Sequence, residues 1–266
     1  MIRQIKKILK IEYLLIKLNA EVMFEYRLDS LFFFIGSGLY NVGALLFITF
    51  LFSKIPLITG WDKWDLILLY GIGQIIGYIY FFATSPNAKS FIDQVQSGDF
   101  DFLITKPVNS LILSTLRVFS IDALFSLIQP AVIMGYAFAN KGYDITLLGI
   151  CIAIVAIIIS VIIIHALTVI TLIPTFWIIR NQFYRFFNET ADLMNYPYEI
   201  FDGKISKFIF FFMVPYALLV NIPFRALIGK LDYRLFILQI FVCAVFLIVL
   251  RFLWKLGVRS YSSASS

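Results

Sequence analysis

Long apolar stretches, almost free of Asp, Glu, Lys and Arg, alternate with polar loops along the chain. Six of them approach the roughly 20 residues that a helix needs to cross about 30 Å of bilayer hydrocarbon. They cover residues 30–53, 65–84, 119–139, 145–179, 208–224 and 235–254. The fourth is too long for one straight crossing, so we expect one long helix that ends near Pro174. The pattern predicts an all-α integral membrane protein with six transmembrane helices over residues 30–254 and a cytoplasmic tail over residues 255–266.

Residues 1–29 have a different pattern. Apolar residues recur there at roughly the helical period, with lysines between them, but no apolar core is long enough to span a bilayer. We therefore predict an N-terminal amphipathic helix that lies along the membrane interface. An ordinary cytoplasmic tail is the alternative.

The composition excludes a soluble enzyme and a disordered chain. Hydrophobic residues make up 61% and charged residues 14%, with a mean hydropathy of +0.91. A soluble domain has about 45–50% apolar and about 25% charged residues, and one of this size could not bury so much apolar surface. The net charge of +6 is then explained by basic loops against anionic lipid headgroups rather than by nucleic acid.

The distribution of basic residues predicts the orientation. With both termini in the cytoplasm, 16 of the 22 Lys and Arg residues lie on the cytoplasmic side. Cytoplasmic loops of membrane proteins are enriched in these residues, so this is the favoured arrangement. It makes residues 180–207 a cytoplasmic loop and residues 208–224 the fifth span.

The chain has few residues that could perform chemistry. It contains no G-x-x-x-x-G-K-[ST] segment, so it has no phosphate-binding loop, and His165 is its single histidine. Cys151 and Cys243 are not part of a CxxC pair. We predict no catalytic, cofactor-binding or metal site on this chain.

Two ionisable residues fall within predicted spans. Asp122 could be a charge on a transport pathway or an interfacial carboxylate near a helix start. His165 could be a proton relay or a neutral imidazole bonded to a neighbouring helix. In the second span, Gly73 and Gly77 form a GxxxG pattern with Gly71 one turn earlier, which predicts close helix packing.

The loop at residues 85–110 contains a short amphipathic helix. Phe91, Ile92 and Val95 share one face, and Gly98 is expected to end the helix. Pro107 closes the segment. Such a helix can lie on lipid or dock into a groove on a partner.

Four ordered segments carry a family resemblance. They are residues 96–113 (QSGDFDFLITKPVNSLIL), residues 176–180 (FWIIR), residues 195–201 (NYPYEIF) with 213–230, and residues 254–261 (WKLGVRSY). Together they resemble bacterial ABC-transporter permeases of the type 2 exporter class. The most similar group is the six-span subfamily described as an ABC-2 family transporter protein.

The resemblance implies a non-catalytic permease of an exporter in the bacterial cytoplasmic membrane. ATP and Mg²⁺ would be bound by a separate ATPase, present in two copies, and a second permease, identical or homologous, would complete a dimer. Residues 1–29 would be the connecting helix, and the loop at residues 85–107 would couple to the ATPase. The coupling residues would be Phe91, Ile92, Val95, Gly98, Asp99, Phe100, Asp101, Lys106 and Pro107.

Further residues are candidates for a gate, and other functions remain open. Pro215, Asn221 and Pro223 interrupt the fifth apolar run, so this region is either part of an outer gate or a simple helix kink. An autonomous carrier or channel is the alternative function.

A lipid-modifying enzyme is a third possibility, and it would need an acidic site. Glu189, Asp192 and Glu199 are the only candidates, and their spacing places them on one helical face. A solvated helix face is the simpler interpretation of this spacing.

Overall fold

The computed structural model describes residues 27–58, 60–178, 181–201 and 203–261, with a few isolated positions before Arg27. Within these ranges the chain is helical, and its only β-type pairing is an isolated bridge between Ile58 and Trp61. The amphipathic helix predicted for residues 1–29 lies almost wholly outside the described residues.

The helices of the described part confirm the prediction of an all-α integral membrane protein. Five helical stretches are long and apolar enough to cross a bilayer: Arg27–Lys54, Lys63–Ser97, Ile121–Asn140, Leu147–Phe176 and Tyr233–Ser260. The individual helices are α1 (Arg27–Lys54), α2 (Lys63–Ala83), α3 (Ser85–Ser97), α4 (Phe100–Ile104), α5 (Ser110–Thr115), α6 (Ile121–Ser126), α7 (Ile128–Asn140), α8 (Leu147–Leu172), α9 (Phe183–Thr190), α10 (Lys204–Phe208), α11 (Tyr216–Leu219), α12 (Asn221–Leu227) and α13 (Tyr233–Ser260).

The long helices run antiparallel between two ends of the bundle. The end that holds Trp61 is called the upper end, and the end that holds Trp254 is called the lower end. Helix α2 descends from the upper end, and the Ser120 N–H donates to the Phe82 carbonyl (3.0 Å) where the chain turns back upward into α6. At the top, Lys141 after α7 lies beside the start of α2.

Helix α8 is central, and it packs against α2, α12 and α13. A Cβ atom on Gly149 would lie 2.6 Å from the Ala226 carbonyl oxygen, so α8 and α12 approach at backbone distance there. Deeper in the bundle, the Ser160 hydroxyl donates to the Leu219 carbonyl (2.6 Å) and accepts from the Gln239 amide (2.8 Å). The first bond satisfies the Leu219 carbonyl at the end of α11 without water, and the second holds the Ser160 hydroxyl in place.

Residues 183–200, which the charge distribution assigned to a cytoplasmic loop, run from one end of the bundle to the other, and we call this segment the fifth crossing. Asn181 starts it at the lower end, bonded to the Thr171 carbonyl (2.7 Å). Asn188 then meets Tyr80 (3.2 Å), Asn195 lies against Gly73, and Glu199 pairs with Arg225 at the upper end. The segment therefore climbs the length of α2 as α9 followed by two 3₁₀ turns, Ala191–Asn195 and Tyr198–Ile200.

The predicted fifth span, residues 208–224, is not one helix. Helix α10 continues into a π-helical turn (Ile209–Met213), and the chain then bends by 67° before α11 and α12. Phe210 stacks on Phe201 near the upper end, Tyr216 reaches down to the Phe187 carbonyl, and Ala226 is back beside Gly149. Both ends of this segment lie at the upper end. Residues 203–227 thus leave and return to the upper end, which is the path of a re-entrant loop rather than of the single straight span predicted for residues 208–224.

Asn221 holds the irregular part of the fifth crossing in place. It is fully buried, its amide donates to the Tyr196 carbonyl (3.1 Å), and its side-chain oxygen accepts from the Tyr198 N–H (3.1 Å). These two backbone groups flank Pro197, where helical bonding is interrupted. Both partners are satisfied without water, as the hydrocarbon region requires.

A charged cluster closes the upper end. Lys141 contacts the carboxylates of Asp62 (2.6 Å) and Asp65 (2.7 Å), which also form the capping box of α2. Partial burial is the largest single effect and opposes ionisation of Asp62, but the hydrogen bond and charge of Lys141 together with the backbone N–H groups of Asp65 and Trp64 outweigh it and lower the pKa of Asp62. The hydrogen bonds to the two carboxylates and their charges outweigh burial at Lys141 and raise its pKa. The charged forms of both groups are therefore favoured by folding.

Candidate translocation groove and coupling surface

A cavity of about 610 Å³ opens between α1, α2 and the fifth crossing. Its walls are mainly apolar and aromatic, with a few polar groups. The lining residues are Phe33, Gly36, Ser37, Tyr40, Gly73, Gln74, Gly77, Tyr78, Tyr80, Phe81, Ser85, Asn188, Ala191, Asp192, Met194 and Asn195. We call this cavity the groove.

Asp192 places an exposed carboxylate in the groove near the middle of the bundle. The Tyr40 hydroxyl, halfway along α1, donates to its Oδ2 atom (3.0 Å). Asp192 lies between Asn188, which contacts Tyr80, and Asn195, which contacts Gly73 at the centre of α2. A charge at this depth is costly when it faces lipid.

Asn195 is inserted against the backbone of α2. A Cβ atom on Gly73 would overlap its side-chain oxygen, so the small residue is what admits the asparagine. That oxygen is buried and has no hydrogen-bond donor in the described part of the chain. The close packing predicted for this glycine pattern is confirmed at Gly73, and at Gly71 against Met134, whereas Gly77 faces open space.

A polar network behind the groove joins α1, α2 and α7. Asn41 accepts from the Tyr70 hydroxyl (2.7 Å) and donates to Gln129 (2.6 Å) and to Tyr78 (3.0 Å). The Gln129 amide donates in turn to the Phe34 carbonyl (2.9 Å). Interhelical bonds of this kind fix the relative register of membrane helices.

The predicted gate residues lie outside the groove lining. Pro215 stands at the break before α11, and Asn221 and Pro223 belong to α12; all three are buried. Asp122 lies in the first turn of α6 at the lower end. His165 is also near that end, with its Nδ1 atom 3.0 Å from the Thr84 hydroxyl.

The three acidic residues considered for an enzyme site have separate partners. Glu189 pairs with Arg185, Asp192 with Tyr40, and Glu199 with Arg225. Among the residues that the structure describes, no group of three His, Cys, Asp or Glu side chains could hold a metal ion.

The predicted coupling residues gather at the lower end, but their apolar members face inward. Phe91, Val95 and Phe100 are buried in the chain's own core, with Phe91 5.6 Å from Trp254 and Phe100 5.2 Å from Phe176, between ring centroids. The expectation that Phe91 and Val95 dock into a partner needs correction. They anchor α3 to the ends of α8 and α13, and the indole of Trp254 adds a bond to Ser110 (3.2 Å).

The outer surface of this segment is polar, with one prominent ring. Lys89, Asp93 and Asp99 are exposed, and Phe102 is 70% exposed. Gly98 ends α3 with a φ of +87°, as predicted. The remaining predicted coupling residues are the partly buried Ile92 and Asp101 and the exposed Lys106 and Pro107.

Multiple helices long and apolar enough to cross a membrane, with a groove between them and an amphipathic helix fixed across one end, define a polytopic membrane protein. A family model described as "ABC-2 family transporter protein" matches residues 39–265. The chain belongs to this family and is an ABC-transporter permease. No curated protein and no solved structure gave a significant match.

Proposed function

We propose that the chain is one permease half of an ATP-driven exporter, in which two permeases turn their grooves toward a shared translocation path. The observation that carries this proposal is the exposed Asp192 carboxylate midway between the two ends of the bundle. Lipid is a poor environment for it, so a water-filled path or a second permease is the favoured neighbour. The second permease is an identical or homologous chain.

Coupling to a separate ATPase, in two copies, is proposed for the outer surface of α3 and α4. The aromatic cluster of Phe91, Phe100, Phe176 and Trp254 fixes these helices to α8 and α13. A displacement of α3 is therefore transmitted directly to two long helices. ATP and Mg²⁺ act on the ATPase, and ATP binding drives the permeases only through its preference for one state of the assembly.

We place the lower end in the cytoplasm of a bacterial cell, where the ATPase would reside. With Lys204 and Lys207 assigned to the upper end and Arg185 to the fifth crossing, 13 of the 22 Lys and Arg residues remain on the cytoplasmic side. The bias is smaller than in the sequence analysis but has the same sign.

The test is co-purification from native membranes with a charge swap on α3. Lys89→Glu with Asp93→Lys leaves the net charge unchanged and reverses the surface pattern. We expect the ATPase that accompanies the permease to fall by roughly tenfold or more, since like charges across an interface are repulsive. Mass spectrometry would quantify the subunit that carries G-x-x-x-x-G-K-[ST].

A matched swap at the upper end, Asp144→Lys with Lys230→Glu, is the control, because both residues are exposed far from α3. It should leave the ATPase bound. Equal amounts of co-purified ATPase in both charge-swap variants would contradict coupling through α3. A native chain that never brings down an ATPase would overturn the proposal as a whole and favour an autonomous carrier or channel.

A further inference from the structure

We propose that the groove binds an amphiphilic organic cation, with the Asp192 carboxylate facing its positive charge and the aromatic walls contacting its apolar part. The inference rests on the proposed function, because it names the substrate class for the same groove. It is carried by the volume, charge and lining of the cavity.

The cavity has the size of a small-molecule site. Its volume of about 610 Å³ lies within the roughly 300–1,000 Å³ that is usual for such sites. Mostly apolar walls with a few convergent polar groups are also typical of them. A polymer chain or a folded peptide would need a wider space.

The charge of the lining has one sign. Asp192 is the only charged side chain among the described residues that line the groove, and no Lys, Arg or His is among them. The buried, unbonded oxygen of Asn195 adds a partial negative charge nearby. The field inside the groove therefore favours a cation and opposes an anion.

The aromatic residues reinforce this selectivity. Phe33, Tyr40, Tyr78, Tyr80 and Phe81 all line the groove. The faces of aromatic rings attract organic cations, and more strongly where water is excluded. Aromatic walls also contact the apolar part of an amphiphile, which a small inorganic cation does not have.

The test compares two probes that share a shape and differ in charge, tetraphenylphosphonium and tetraphenylborate. Each is titrated separately against the permease–ATPase complex in nanodiscs of zwitterionic lipid, with binding to empty nanodiscs subtracted. We expect saturable binding of the phosphonium and none of the borate at the same concentrations. Equal binding of both would overturn the proposal, and this comparison needs no variant.

Asp192→Asn should then weaken phosphonium binding by roughly tenfold or more, because it removes the only full charge among the described lining residues. Asp192→Glu should retain it. Asp144→Asn is the matched control, since this exposed carboxylate lies outside the groove, and it should bind as the native chain does. Native affinity in Asp192→Asn would contradict the role of the carboxylate.

The same nanodisc samples distinguish a failure of this inference from a failure of the proposed function. A complex that retains its ATPase and fails to bind the phosphonium overturns the substrate class alone. A native chain that never associates with an ATPase overturns the proposed function first. If Asp192→Asn separates the two permeases while phosphonium binding is absent throughout, the carboxylate is an interface contact and the inference is wrong.

Discussion

At the scale of single residues, two buried asparagines hold the places where helices are interrupted. Asn221 bonds the backbone on both sides of Pro197, as described above. Asn87 accepts from the Arg117 and Val118 N–H groups (3.0 and 2.9 Å) and donates to the Ala83 carbonyl (2.8 Å). Neither role could be predicted from the sequence, because all the partners except Ala83 are 23 to 31 residues away and follow no local pattern.

Asn221→Ala should destabilise the protein by about 2–5 kcal/mol, because a donor and an acceptor of the buried backbone lose their partners. The measurement is the melting temperature of the purified complex in detergent. Asn140→Ala, at an exposed position with a local bond to the Tyr136 carbonyl, is the control and should melt near the native value. Indistinguishable melting of the two variants would contradict the role given to Asn221.

At the scale of helices, the sequence predicted those whose stability comes from hydrophobicity alone. The apolar sequence segments that form α1, α2, α7, α8 and α13 are long, and each of them is helical in the structure. The fifth crossing escaped prediction because residues 183–200 contain Arg185, Glu189, Asp192 and Glu199. Its only signal was the aromatic face of FYRFF inside a supposed cytoplasmic loop. The groove was missed with it, since Asp192 becomes a groove residue only through tertiary packing.

The contact between α8 and α12 gives a prediction at this scale. Gly149→Ala should cost about 1–3 kcal/mol, because the added methyl group would meet the Ala226 carbonyl at 2.6 Å and force the helices apart. Gly43→Ala in α1 is a fitting comparison, since nothing lies within 4 Å of the added atom. Thermal unfolding should show a loss in the first variant and none in the second. A stable Gly149→Ala protein would mean that the re-entrant loop moves away easily.

At the scale of the whole molecule, the fifth crossing and the re-entrant loop place residues 203–207 at the upper end instead of the lower end. The distribution of charge along the chain predicted a cytoplasmic position for Lys204, at the lower end, whereas the structure connects it through Phe201 to the upper end. The number of crossings remains six in both descriptions. For this reason the apolar runs and the basic residues predicted the same side for both termini, although the path of the chain between them is different.

Accessibility of single cysteines distinguishes the two paths. With Cys151 and Cys243 replaced by Ala, cysteine is introduced at Lys204, Lys230 or Lys106, which are all exposed. An impermeant maleimide added to intact cells should label positions 204 and 230, and should label position 106 only after the membrane is opened. Protection of position 204 together with position 106 would restore the original assignment of residues 180–207 to the cytoplasm.

The charged fifth crossing has a consequence for how the chain enters the bilayer. Each Asp or Arg at the centre of an inserting helix costs roughly 2.5–3.5 kcal/mol on insertion scales, so residues 183–200 would not partition from the translocon by hydrophobicity alone. Their partners include Tyr40 and Tyr80, which are synthesised earlier, and Asn221 and Arg225, which are synthesised later. We therefore expect this crossing to enter the bilayer as a step of folding, after the ribosome has passed residue 225, rather than as an independent step of translocation.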